Sequence, residues 1–192
     1  MSPLFHHEIY SREITIECRM TKQTSLVLAL FILTLIPFLP AQEQPSLEIS
    51  GTGIATIKIS ARDLSAMPHL KLGVREPHKG EMQHYEGVRV SDLLAKAGVP
   101  LGEKLRGRGL ATYVVAKASD GYAVVYSIAE LDPAMTDNQV IVADTMNGKP
   151  LEPKDGPLKI VVPGDKRPAR WIRMLTALRI ENAVNPSESL PR

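Results

Sequence analysis

The residues whose types and spacing could do chemistry gather toward the C-terminus. Lys159, Lys166, Arg167, Arg170 and Arg173 stand around Pro163-Gly164, where an apolar run gives way to a turn. Guanidinium groups take phosphate or carboxylate oxygens in pairs, and exposed backbone N–H groups at such a corner add donors. The pattern predicts an anion site. A solvated charged surface is the other reading, with these cations paired to Asp155, Asp165 and Glu181, each exposed pair contributing little. Trp171, the only tryptophan, sits between cations and is expected to anchor the core; a stacking surface is its other role. A second basic stretch, Lys104 to Arg108 around Gly107, reads as a loop.

His69, His78 and His84 form a second cluster, with Glu76, Glu81 and Glu86 interleaved. A loop gathering two imidazoles and a carboxylate would suit zinc or copper. The spacing matches no ligand pattern, and Arg75 to His84 carries Pro77 and Gly80 as an exposed hairpin tip does. Solvated histidines are the expectation, and no metal ligand is assigned. The chain has no GxGxxG, P-loop, HExxH, CxxC or GxSxG. A serine nucleophile with a remote His and acid is neither supported nor excluded by spacing. No catalytic residue is assigned from the sequence.

The elements that must position these groups alternate mostly with a period of two. Leu47 to Ser50 and Ala55 to Ser60 read as strands around Gly51 and Gly53. Asp63 to Met67 is a helical turn at most. Val88 to Ala97 places Val90, Leu93, Leu94 and Ala97 on one face, with Ser91 as N-cap and Gly98 as terminator. Thr112 to Ala118 and Tyr122 to Ser127 flank Asp120-Gly121 as a hairpin, and Ile128 to Leu131 adds a turn of helix. Gln139 to Ala143, Leu158 to Val162 and Leu175 to Ile180 are further strands, with Asn147-Gly148 a turn between the first two. Strands outnumber helices and no βαβ rhythm is present, so an α+β domain with a mixed sheet and short helices is expected.

The first 41 residues are expected to lie outside that domain. Leu26 to Leu39 is almost unbroken apolar sequence, preceded by Lys22 and followed by Pro40-Ala41-Gln42. A charged start, a short apolar middle and a small exit residue make a secretory signal with cleavage after Ala41. An uncleaved anchor is the alternative. Met20 is the expected true start, since Met1 to Arg19 is polar and would make a long leader. The mature chain would then be periplasmic or secreted, without a transmembrane segment: a domain over residues 42–182 and a flexible polar tail over 183–192. The leader removes three cations and three acids, so the formal charge stays at +2, too mild for a nucleic-acid partner. It also removes Cys18, the only cysteine, and with it every thiolate ligand, disulfide or nucleophilic thiol.

The succession YEGVRVSDLLAKAGV (Tyr85 to Val99), YVVAKASDGYAVVYSIAELDP (Tyr113 to Pro133), VIVADTMNGKPL (Val140 to Leu151) and GPLKIVVPGDKRPARWIR (Gly156 to Arg173) resembles the molybdopterin-binding domain of the sulfite oxidase family. That family includes the periplasmic methionine-sulfoxide reductase catalytic subunits. The resemblance spans Leu47 to Glu181 and implies the sulfite-oxidase-like fold, with molybdopterin as cofactor. It places the pterin phosphate contacts on Lys159, Pro168, Ala169 and Arg170, with Asp155 near a further polar contact. It also places the molybdenum-ligating cysteine of catalytic members near Val74 and Arg75, and a threonine or serine contact on Ala118. With no thiol at these positions, molybdenum is not expected to be held. Catalytic members load their cofactor in the cytoplasm and leave folded through a twin-arginine signal. No Arg-Arg pair stands near Lys22.

Two functions follow. The first is a binding module that holds an anionic small ligand or a partner protein at the Lys159 and Arg170 corner. The second is a molybdopterin-dependent oxidoreductase acting on a sulfoxide or other small oxo-compound, for which the resemblance implies a membrane redox partner.

Overall fold

Leu47 and Ile49 are buried while their neighbours face outward, and this alternation makes Ser46–Gly51 the first strand, β1. The computed structural model describes residues 45–75 and 80–184, all within the unit Gln44–Arg192. The leader, the cleavage site at Ala41, Cys18, Glu76 to Lys79 with His78, and the tail beyond Val184 lie outside the described residues.

β1 pairs antiparallel with β2 (Ile57–Ser60) and parallel with β10 (Leu175–Asn182). The other side of β10 takes β5 (Thr112–Ala118), which turns back into β6 (Ala123–Ser127). The first sheet therefore runs β2-β1-β10-β5-β6. A second sheet, antiparallel throughout, runs β3 (Leu70–Arg75), β4 (Met82–Arg89), β7 (Ile141–Met146) and β8 (Lys149–Pro150), with β9 (Lys159–Val161) also on β7. Both sheets contribute to one buried cluster, Leu47, Val114 and Leu178 from the first and Val88, Ile141 and Ile160 from the second.

Short helices close the gaps. α1 (Ala61–Ser65) and α3 (Ile128–Leu131) both start in capping boxes, Ser60 with Asp63 and Ser127 with Glu130, which satisfy N–H groups that so short a helix cannot pair internally. α2 (Val90–Lys96) buries Val90, Leu93 and Leu94 as expected. Its start differs from the sequence expectation: Arg89 is the N-cap with no side-chain cap bond, and Ser91 is a buried residue inside the helix. Val88 and Arg89 belong to β4, held by Val142 and Ile141 of β7, so strand pairing fixes the boundary that a serine cap was expected to set.

Two further differences concern the sheets. The expected mixed sheet is two sheets, only the first of which contains a parallel pair. The β3–β4 hairpin was expected only at its tip, yet His84 lies within the β4 strand. Gly87 is fixed by this hairpin's contact with β7: a Cβ there would lie 2.1 Å from the Val142 carbonyl oxygen, so only glycine lets the strands meet at the β4 irregularity. The Asn147-Gly148 turn holds both residues at positive φ, 52° and 74°, and joins β7 to β8 as the dipeptide predicts.

Candidate functional site

A cleft of about 640 Å³ opens where the ends of the two sheets meet. β4 supplies Gln83 and Tyr85, and β7 ends in it with Met146. The β5–β6 turn brings Asp120 and Tyr122 to one rim, and the segment after β8 brings Glu152, Lys154 and Asp155. Lys159 of β9, Pro168, Ala169, Trp171 and Arg173 complete it.

Its floor is built around Lys159. A cation inside the apolar run Leu158 to Val162 is carried inward with the strand, and Lys159 is only 9% exposed. Its Nζ lies 3.3 Å from Asp155 Oδ1, 5.4 Å from the Tyr85 ring centre and 6.0 Å from the Trp171 ring centre. A carboxylate and two aromatic faces thus compensate the buried ammonium. Tyr85 and Trp171 meet edge to face, 5.9 Å apart at 88°. Trp171 is buried and donates Nε1–H to the Val162 carbonyl at 2.9 Å, so it anchors the core while one side of its ring walls the cleft. Asp155 is held by its neighbours: its N–H donates to Glu152 O, and its carbonyl accepts from Met174 N–H.

Arg170 is engaged differently. Nε and Nη2 donate to the two oxygens of Asp165 at 3.0 and 2.7 Å, Nη1 donates to Glu130 at 2.9 Å, and the guanidinium lies 5.2 Å from the Tyr126 ring centre. Its bonds to Asp165 and then Glu130 hold it firmly protonated. The buried Tyr126 hydroxyl donates to the Arg170 carbonyl, and desolvation pushes that phenol well above its ordinary range. This network fastens the 3-10 turn Pro168–Arg170 to β6 and α3. Tyr122 adds a further tie, its hydroxyl donating to Ala169 O at 2.9 Å.

Of the residues singled out in the sequence, Asp155, Lys159, Pro168, Ala169, Trp171 and Arg173 come together on the cleft, and Arg170 is not among its lining residues. Lys166 and Arg167 are exposed and also off the lining. Tyr85 and Tyr122 were not assigned to the site, and Arg173 was placed in the basic cluster but not among the pterin contacts that the resemblance implies. The signal available for the tyrosines was their place in two of the quoted segments, and for Arg173 its place in the basic cluster. His69 and His84 do not converge: His69 binds Asp144 and the Met67 carbonyl, while His84 is exposed on β4. Among the described residues no group of three His, Cys, Asp or Glu side chains is placed to hold a metal.

A family profile described as "Oxidoreductase molybdopterin binding domain" matches residues 36–189. The chain belongs to this molybdopterin-binding domain family. No curated protein matches it. Among solved structures, the sulfane dehydrogenase SoxCD of Paracoccus pantotrophus is similar with a TM-score of 0.56 at 21% identity, over 71% of this chain. The likeness covers 38% of the SoxCD chain, so this molybdopterin-binding domain spans well under half of that protein. At that identity the likeness shows the fold, and the fold agrees with the α+β reading.

Among the described residues the cleft offers no thiolate to a molybdenum. Among the described residues the only sulfur on the lining is the Met146 thioether, a soft but uncharged donor. Val74 is buried in β3, Arg75 donates to the Gly80 carbonyl at 2.7 Å, and Ala118 is buried opposite Leu175. The cleft presents fixed charges, two tyrosines and an indole.

Proposed function

We propose that the protein is an exported binding module on a molybdopterin-binding scaffold, holding an anionic small ligand or a partner protein at the cleft without a molybdenum thiolate. The observation that carries this reading is Lys159, a buried ammonium aimed between Tyr85 and Trp171 at the place where the resemblance puts the pterin phosphate. Asp155, Pro168 and Ala169 stand beside it. Export after Ala41, to the periplasm or outside the cell, belongs to the proposal and rests on the Leu26 to Leu39 run. Among the described residues no helix is long and apolar enough to cross a membrane.

Family membership favours a second reading, a molybdopterin-dependent oxidoreductase acting on a small oxo-compound or sulfoxide. One purification separates the two. Protein taken from its native compartment is analysed for molybdenum and pterin, with an intact mass. The binding module gives a mass beginning at Gln42 and far less than one molybdenum per chain. Molybdenum and pterin near one per chain would replace it with the oxidoreductase, and a mass retaining the leader would remove export by cleavage.

A further inference from the structure

Among the described residues the cleft is lined by three carboxylates, Asp120, Glu152 and Asp155, and three cations, Lys154, Lys159 and Arg173. Formal charge among them balances, so a doubly charged phosphate meets no net positive charge there. Two of the cations are already committed within the protein. Lys159 faces Asp155 at 3.3 Å, and Lys154 faces Glu152 at 2.7 Å. Arg170, the strongest anion grip in the neighbourhood, is turned away and closed by Asp165 and Glu130. Among the described residues Arg173 has no ion pair and no hydrogen-bond partner, and it is exposed at the cleft rim.

Its position is fixed from the backbone. Met174 donates N–H to the Asp155 carbonyl and accepts from Ser119 N–H, so the residue before it is held between the Asp155 segment and the β5–β6 turn. Glu152 keeps Lys154 protonated, and Arg173 lies near enough to work against it. An anion between Arg173 and Lys154 would relieve that repulsion. A second negative charge would find no uncommitted cation among the described lining residues and would face Asp120, Glu152 and Asp155.

We infer that the cleft selects a ligand with a single negative charge beside an aromatic or flat body, that Arg173 is its anion contact, and that a phosphate dianion is disfavoured. This rests on the reading of the cleft as an anion site and specifies it. The flat body has the exposed ring of Tyr122 to lie against, with Tyr85 and Trp171 buried beneath the cleft, and the bidentate fork of Arg173 suits a carboxylate or sulfonate.

The test uses Trp171 as reporter, since it is the only tryptophan and walls the cleft. The mature protein at pH 8 is titrated with benzenesulfonate, a monoanion, and with phenyl phosphate, a dianion above its second pKa of about 6. Benzenesulfonate is expected to bind the tighter, and lowering the pH to 5 to narrow the gap as phenyl phosphate loses a charge. Arg173→Gln should weaken benzenesulfonate about tenfold or more with an unchanged melting temperature, and Arg62→Gln, remote on α1, should change neither. Phenyl phosphate binding the tighter at pH 8, or Arg173→Gln leaving affinity intact, overturns the inference; if Lys159→Gln then abolishes phenyl phosphate binding, the anion-site reading survives alone. Binding of neither probe overturns both.

Discussion

At the scale of single residues, Arg170 and Trp171 are neighbours that the sequence presents as one basic-aromatic pair and the structure separates. Arg170 ties Asp165, Glu130 and Tyr126 together from outside the cleft lining. Arg170→Ala should lower stability by about 1–2 kcal/mol, because two partly covered carboxylates lose their common partner. Arg170→Lys should recover little of it, since an ammonium cannot bridge both acids as the fork does. Urea denaturation followed by circular dichroism measures both; an unchanged midpoint with lost ligand binding would return Arg170 to the anion site. Trp171→Ala should cost about 3–5 kcal/mol through the lost packing against Tyr85 and the orphaned Val162 carbonyl. A midpoint within error of the parent would make the ring a surface feature.

At the scale of elements, the connection from α1 into β3 is latched to β7 by His69. Nδ1 lies 2.8 Å from the Met67 carbonyl and Nε2 3.0 Å from Asp144 Oδ2, so both nitrogens face acceptors and both must donate to satisfy them. Burial of the ring opposes its charge, but the Asp144 and Met67 bonds, with Glu86 nearby, prevail and raise its pKa above the ordinary 6.5. Glu86 is itself paired with Lys71. A raised folded-state pKa means the latch stabilises fully below pH 6.5 and loses that stabilisation as pH rises through the folded value. The melting-temperature advantage of wild type over His69→Gln should therefore be present at pH 5.5 and shrink toward pH 8.5, within about 1 kcal/mol; an advantage independent of pH would mean the ring acts by packing alone. The sequence showed none of this, because Asp144 is 75 residues away. Local signals were read well: the Asp120-Gly121 hairpin, the Asn147-Gly148 turn and the buried face of α2 all follow from nearby residues. What failed was set by distant partners. β3 has one buried residue, Val74, and its strand state comes from β4. The start of α2 was shifted by β7. In the cleft, Lys159 betrayed itself as a cation in an apolar run, whereas the closure of Arg170 by Glu130 spans 40 residues and leaves no local trace.

At the scale of the molecule, two sheets joined through the cleft should unfold as one. β10 sits between β1 and β5, paired on both sides, and brings the last strand beside the first. The segment leading into it is bonded to the other sheet's β9: Ile160 N–H donates to the Ile172 carbonyl, and Leu175 N–H donates to the Leu158 carbonyl, both at 2.9 Å. The first sheet therefore cannot leave the second without tearing the floor that carries Lys159 and Trp171. Their shared buried cluster adds the same coupling through packing. Native-state hydrogen exchange should accordingly give one high opening free energy for the ladder amides of β10, β5, β4 and β7, with the exposed β8 exchanging sooner. A ligand seated in the cleft should raise that common value in both sheets together, because it binds only the form in which they are joined. Opening of β4 and β7 at a distinctly lower free energy than β10, or protection by ligand confined to one sheet, would show the cleft to be a seam between independent units rather than the joint that holds them.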